Sequence, residues 1–185
     1  MSARRRSSVL PVLPLVAIVL AAALPAARAQ DPAQADPLAG FEADDAGAGW
    51  GGIRLGMSLV QAERRLGGAL SLRETENGRC GRFTAGAERG GLALAVGFPS
   101  AKPGAKIETL FVRFEGYQVL ASGADLVASL KAKVPAARYV PDADSPDRSE
   151  ADDPAPVYEL PGKTPVAVQV RPRDGLLFAP LSCLR

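Results

Sequence analysis

The segment Gly52–Gly68, GIRLGMSLVQAERRLGG, decides the fold, because it joins a short extended run, a helix cap, one helix and a glycine stop. Ser58 and Gln61 have the S-x-x-Q form of a capping box, so we predict that a helix begins at Ser58. Three apolar residues recur at spacings of three and four and share one helix face: Leu59, Ala62 and Leu66. A helix this short is marginal alone, which predicts that it packs on a sheet.

The residues that follow supply that sheet. Three segments are predicted to be strands: Arg79–Ala85, Gly90–Pro99 and Lys106–Phe114. In the second and third, large apolar residues alternate with small or polar ones, as in half-buried strands. The turn residues Pro103 and Gly104 separate the second segment from the third. One helix followed by a three-stranded meander makes an α+β unit.

The same order of elements recurs further along the chain. Tyr117–Val134 repeats the capping pattern at Ser122 and Asp125, 64 residues after Ser58 and Gln61. Three extended segments follow: Val157–Leu160, Thr164–Arg171 and Leu176–Cys183. We therefore predict an α+β domain of two fused helix-plus-three-stranded-meander repeats, at about 50–115 and 116–185. They form an antiparallel sheet with the helices packed on one face.

The first 29 residues have the pattern of a secretory signal peptide. Three arginines precede an apolar run from Val9 to Leu24, and an A-x-A site ends at Ala29. We predict cleavage between Ala29 and Gln30, export to the periplasm or beyond it, and no lipid anchor, since no cysteine follows the site. A retained membrane anchor is the alternative, but Pro11 and Pro14 interrupt a run that is short for spanning a bilayer.

Removal of this peptide changes the charge of the chain. The remaining 156 residues carry 18 basic and 20 acidic side chains, so nothing favours nucleic-acid binding. Residues 30–49 are acidic and poor in large apolar residues, which predicts a flexible leader, more simply a spacer than a tether or partner-binding tail. Trp50 then opens the domain 50–185 and is interpreted as an anchor at the edge of the core.

A second acidic segment lies within the domain, at Pro141–Pro156. Clustered carboxylates suit calcium, but a loop counted from Asp142 has Pro146 at a ligand position and Asp147 where a glycine is required. We therefore predict a mobile, solvated loop and no metal site.

Two cysteines in an exported chain favour one disulfide, between Cys80 and Cys183. A reactive thiol is the alternative. It has no support in the sequence, because there is no C-x-x-C motif and no histidine to activate a thiolate.

The absence of histidine also excludes Ser-His-Asp catalysis and histidine-ligated zinc. The carboxylate pairs Asp44-Asp45 and Asp152-Asp153 lie in segments predicted to be flexible, where catalytic geometry is hard to hold. Ser129 and Lys133 lie four residues apart on the second helix, so they could meet as a Ser–Lys catalytic pair. On an exposed helix face such residues ordinarily serve solubility. We predict a protein that is not an enzyme and needs no cofactor.

The run G-I-R-L-G-M-S-L, the Leu66-Gly67 stop, the extended segment with Cys80 and the apolar meander resemble the SmpA/OmlA (BamE-like) family of periplasmic modules. The resemblance implies the fold shared with β-lactamase-inhibitor proteins and a role in envelope assembly or inhibition through protein contacts. The lipid-anchoring cysteine of that family's lipoproteins is missing here, and the second copy of the motif lacks its glycines.

These observations predict a non-catalytic protein-binding or envelope-assembly module, whose partner is another envelope or secreted protein. Alternation places four residues on the sheet face away from the core, as a binding surface or simply as a solvated face: Phe111, Arg113, Gln169 and Arg171. The alternatives are a binder of glycans or peptidoglycan fragments that stacks them on Trp50 and Tyr117, and a carboxylate-based hydrolase.

Overall fold

A computed structural model describes residues 38–45, 47–76, 80–114, 123–142, 146–171 and 174–184. The predicted signal peptide, its cleavage site at Ala29 and Gln30, and the residues Tyr117 and Ser122 lie outside these ranges. Within them, no helix is long and apolar enough to cross a membrane.

The described residues form two helices and two sheets. The helices are α1 (Leu59–Leu66) and α2 (Gly123–Lys133). The strands are β1 (Phe41–Asp44), β2 (Gly47–Trp50), β3 (Ile53–Arg54), β4 (Arg73–Glu74), β5 (Phe83–Arg89), β6 (Leu92–Phe98), β7 (Thr109–Arg113), β8 (Arg138–Val140), β9 (Val157–Leu160), β10 (Val166–Arg171) and β11 (Gly175–Pro180). Short 3₁₀ turns occupy Glu150–Asp152 and Leu181–Cys183.

Eight of these strands form one antiparallel sheet, the large sheet, in the order β4-β5-β6-β7-β11-β10-β9-β8. A small sheet has the order β1-β2-β3. Each helix is followed in the chain by four strands of the large sheet, and the two runs meet where β7 pairs with β11. The α+β class and the antiparallel sheet are confirmed. The internal repeat stays a prediction, and its three-stranded meanders omitted β4 and β8, which are too short to show apolar alternation.

Several strand ends differ from the predicted ones, and two of the differences have clear reasons. The strand predicted at Arg79–Ala85 begins only at Phe83, because Gly81 has a left-handed φ of 68° that interrupts an extended chain. The strand predicted at Leu176–Cys183 ends at Pro180, which has no N–H to continue a ladder, and a 3₁₀ turn follows.

Helix α1 is capped as the sequence predicts. The Gln61 N–H donates to Ser58 Oγ at 3.3 Å, and the Ser58 N–H donates to Gln61 Oε1 at 2.8 Å. At the other end Gly67 has a φ of 81° and its N–H donates to the Glu63 carbonyl, the left-handed stop that glycine allows. The buried face of α1 packs on β5.

One face of the large sheet carries the core. Leu126 and Leu130 of α2 are buried with the inward residues of β10, and the ring of Phe41 in β1 lies 5.4 Å from that of Phe178 in β11. Both helices and the small sheet therefore cover the same face, as predicted for the helices. The opposite face, defined here as the open face, has no helix on it among the described residues.

The prediction of a flexible leader at 30–49 was wrong from Leu38 onward. Leu38 is fully buried, and the following residues form β1 and most of β2. Two acidic residues of this segment form ion pairs with Arg54: Glu42 at 2.8 Å and Asp44 at 2.7 Å. Composition alone misled because a few apolar contacts to the core and one arginine suffice to order this segment.

Trp50 is only 4% exposed, so its interpretation as a core anchor is confirmed. Side chains on two neighbouring glycines would crowd its ring. A Cβ on Gly40 would lie 2.5 Å from Trp50 Cε2, and one on Gly90 would lie 3.1 Å from Cη2. The tryptophan therefore fixes the small sheet against the β5–β6 turn.

The predicted disulfide is confirmed. Cys80 and Cys183 are bonded, their Cα atoms lie 5.8 Å apart, and 103 residues separate them in the chain. The bond joins the segment before β5 to the turn after β11. It thus links the first run of strands to the end of the second.

Loss of the capping hydroxyl should weaken α1. We expect Ser58→Ala to lower the free energy of unfolding by about 1 kcal/mol, because the Gln61 N–H loses its acceptor. Urea unfolding followed by circular dichroism measures the change. Ser129→Ala, on the exposed face of α2, is the matched control and should stay within about 0.5 kcal/mol of the wild type. Equal effects of the two substitutions would contradict a capping role.

Removal of the disulfide should lower the free energy of unfolding more than Ser58→Ala does. The chain-entropy model gives about 4.7 kcal/mol for a loop of about 100 residues, so the Cys80→Ala/Cys183→Ala variant should unfold at much lower urea concentration. Its unfolding curve is to be compared with that of the oxidised chain. Two free thiols titrated in the non-reduced, unfolded wild-type chain would show that the bond does not form.

Candidate functional site

The open face is the best candidate for a functional surface. Along β7, Phe111 lies between the buried residues Leu110 and Val112, and along β11, Leu177 lies between the buried residues Leu176 and Phe178. Because successive side chains of a strand point to opposite faces, Phe111 and Leu177 lie on the open face. Both are half-buried rather than covered.

These residues belong to a row that crosses five strands. Pairing in the sheet places Phe111 beside Leu177, Leu177 beside Gln169, Gln169 beside Val157, and Val157 beside Val140. Adjacent strands are about 4.8 Å apart, so this cross-strand row is about 19 Å long. All five side chains are half-buried. The open face therefore carries a continuous stripe of four apolar residues and one amide.

The four residues predicted as a binding surface form one cluster. The guanidinium carbons of Arg113 and Arg171 lie 6.0 and 5.6 Å from the centre of the Phe111 ring. Arg171 Nε donates to Gln169 Oε1 at 2.8 Å. Phe111 is thus flanked by two cations, each such contact contributing about 0.5–1 kcal/mol at an exposed site. This set, Phe111, Arg113, Gln169 and Arg171, is called the aromatic–arginine cluster.

Sequence reasoning missed the other members of the row, Leu177, Val157 and Val140. For Leu177 and Val157 the signal was present, since each alternates with buried neighbours in a predicted strand. The sequence of β8 shows no apolar alternation, so Val140 could not be identified from it. Only the pairing of strands puts the three residues in line with Phe111.

The far end of the open face is closed. A Cβ on Gly97 would lie 3.0 Å from Gly81 Cα, so the segment at Gly81 lies directly over β6. The Gly81 N–H also donates to Glu108 Oε2 at 2.9 Å. Ala167 and Ala179, paired in β10 and β11, are fully buried although they are not part of the main core. The accessible part of the open face therefore includes the cross-strand row and the arginines beside it.

A groove of about 220 Å³ adjoins the row at Gln169. Apolar side chains line it on several sides: Val140, Pro141, Val157, Leu181 and Leu184. Asp142, Arg148 and Asp153 add charge to its lining. The row thus leads from the aromatic–arginine cluster at one end to an apolar groove at the other.

The described residues of the acidic segment, 141–142 and 146–156, contribute one wall of this groove and form hydrogen bonds and an ion pair with the rest of the fold. The Tyr158 hydroxyl donates to Glu150 Oε1 at 2.8 Å, and Lys131 Nζ lies 2.5 Å from the same oxygen. The Tyr139 hydroxyl donates to Asp153 Oδ2 at 3.1 Å. The prediction of a mobile loop did not anticipate this attachment to α2 and to the sheet.

Burial and charge shift the ionisation of this network. Tyr158 is fully buried, and burial together with the hydrogen bond to Glu150 raises the pKa of its phenol. The hydrogen bond from Lys131 lowers the pKa of Glu150, against the smaller effect of burial. Glu150 is therefore ionised and engaged at neutral pH.

Other candidates from the sequence find structural roles. The carboxylate of Asp44 pairs with Arg54, and Asp153 accepts from Tyr139 and from the Ala155 N–H. Ser129 and Lys133 are both exposed on α2. Among the described residues no group of three or more His, Cys, Asp or Glu side chains is placed to hold a metal ion.

Small-ligand binding has less support than the open face. Trp50 is buried and offers no stacking platform, and Tyr117 lies outside the described residues. A second cavity of about 250 Å³ lies between the small sheet and the β9–β10 turn, lined by residues that include Asp44, Glu108 and Lys163. Both cavities are below the roughly 300–1,000 Å³ of common ligand pockets.

No protein-family model matches the sequence, and no curated protein or solved structure is significantly similar to it. The resemblance to the SmpA/OmlA family therefore stays a prediction.

The Glu150 network makes stability depend on pH in a defined direction. Because the folded-state pKa of Glu150 is lowered, its ion pair stabilises the fold above the ordinary pKa of 4.5 and the stabilisation is lost as the pH falls through the lower folded value. Glu150→Gln should therefore be less stable than the wild type at about pH 7, and the gap should shrink toward about pH 3.

Thermal unfolding of both proteins at the two pH values measures this gap. Glu88→Gln, at an exposed position of β5, is the control and should show little effect at either pH. A gap for Glu150→Gln that is equal at both pH values would rule out the ionised form as the source.

Proposed function

We propose that this chain is an exported, non-catalytic module that binds another envelope or secreted protein through the open face. The observation that carries the proposal is the cross-strand row, an accessible apolar stripe beside two arginines. Phe and Arg are enriched in protein interfaces, and lysine, which is depleted there, is missing from this cluster.

The shape of the surface also favours a protein partner. The row is about 19 Å long on the assumption of ordinary strand spacing, which suits an extended segment or a helix better than a small molecule. The large sheet ends in β4, of two residues, and β8, of three residues. Such short edge strands are poor templates for strand addition, so the face rather than an edge is the proposed contact.

The disulfide supports export, because such bonds persist mainly in oxidising compartments. The periplasm is the proposed location, in line with the predicted signal peptide. The meeting of two four-strand runs at β7 and β11 supports the proposed internal repeat and, with it, the proposed kinship to SmpA/OmlA-type modules. The lack of histidine supports a role without catalysis.

The experiment is a cross-linked pull-down of the mature chain from envelope extract, with each captured protein then tested as a purified pair. The Leu177→Ser variant should no longer bind a partner that contacts the open face, because a polar group interrupts the middle of the row. Val60→Ser, at a half-buried position of α1 on the other side of the sheet, is the matched control and should retain it.

A direct partner whose affinity is unchanged by Leu177→Ser and by the Phe111→Ala/Arg113→Ala variant would refute the open-face proposal. Circular dichroism of each variant confirms that loss of binding is not loss of folding.

A further inference from the structure

We propose that the open face recognises a segment of its partner that carries an acidic side chain and, within about three residues of it in extended conformation, an apolar one. This inference rests on the proposed function and specifies the chemistry of the partner. The acidic residue meets Arg171, and the apolar residue enters the groove beside Gln169.

The acidic requirement comes from Arg171. The described ion pairs neutralise Arg54, Arg82, Lys131 and Arg138 with carboxylates of the chain. Arg171 instead contacts the Phe111 ring and Gln169, and it has no carboxylate partner among the described residues. It is a cation on the surface of a mature chain with more acidic than basic residues. A partner carboxylate would supply the missing counter-charge.

The guanidinium of Arg171 is also oriented for this task. Gln169 accepts from Nε at 2.8 Å, and the Phe111 ring supports the guanidinium 5.6 Å from the ring centre. Arginine has five N–H donors in a rigid plane, so those on the two terminal nitrogens are left for a carboxylate, which they bind in a bidentate manner. Because Phe111 and Gln169 already restrict the side chain, less conformational entropy is lost when the partner binds.

The apolar requirement comes from the other end of the row. Leu177 and Val157 flank Gln169, and the groove beyond them has apolar walls from Val140, Leu181 and Leu184. Arg171 contacts Gln169 on β10, and from Gln169 to Val140 on β8 is two strand spacings, or about 10 Å. At about 3.3 Å per residue an extended segment covers that span with about three residues.

An anionic membrane fits this surface less well than a peptide does. Lipid-binding patches usually collect about four to eight basic residues, whereas this cluster has two arginines. The lining of the apolar groove also has two acidic residues, Asp142 and Asp153, against one basic residue, Arg148, which disfavours anionic headgroups. A peptide can place its charge at the arginines and its apolar side chain in the groove.

The test selects phage-displayed random dodecapeptides on the mature, oxidised chain and measures the affinity of the enriched peptides by fluorescence anisotropy. We expect Asp or Glu within about three positions of Leu, Ile, Val or Phe. Arg171→Ala should weaken binding by about tenfold or more, and Arg171→Lys should restore only part of it, because lysine cannot bind a carboxylate in a bidentate manner. Arg64→Ala, exposed on α1, is the matched control and should change nothing.

The outcomes separate this inference from the proposed function. Peptides whose binding is lost with Leu177→Ser but unchanged with Arg171→Ala would overturn the acidic requirement and leave open-face binding intact. Peptides whose binding is unchanged by Leu177→Ser and by Arg171→Ala would refute both the acidic requirement and open-face binding. Binding to phosphatidylglycerol vesicles that is abolished by Arg171→Ala would overturn the choice of a peptide. Thermal unfolding of each variant checks that it folds.

Discussion

The pairing of β7 with β11 is the contact on which the rest of the structure depends. It joins the two four-strand runs into one sheet, and it requires Gly175, where a Cβ would lie 1.8 Å from the Val112 carbonyl oxygen. The same pairing sets Leu176 beside Val112 in the core and Leu177 beside Phe111 on the open face. A single register therefore determines both the continuity of the core and the continuity of the cross-strand row.

The two faces of the large sheet differ in what covers them. Both helices and the small sheet lie on one face, where the apolar residues of all layers form one cluster. On the other face, the segments joined by the disulfide lie at one end, and the row remains accessible at the other. The disulfide thus does more than close a long loop, because it holds in place the segments that bound the accessible surface.

The accessible surface combines an aromatic ring, two arginines and an apolar groove whose wall is fixed by Tyr158, Glu150 and Lys131. If a partner binds as proposed, rigid attachment of that wall lowers the free energy needed to order the site. The acidic segment contributes through its hydrogen bonds and ion pair, and these place the groove beside the row.

Local patterns in the sequence determined the capped helix α1, six of the strands, the disulfide pair and the outward position of Phe111, Arg113, Gln169 and Arg171. These features depend on hydrogen bonds and alternation within a few residues, or on the chemistry of two cysteines. Tertiary structure alone decided that residues 38–45 and 47–49 are ordered, that β4 and β8 exist, and that β11 lies between β7 and β10. The physical reason is that short strands and strand order are stabilised by partners distant in the chain, which no local pattern records. For that reason Phe111 and Arg171, 60 residues apart in the sequence, share one cluster only in the folded protein.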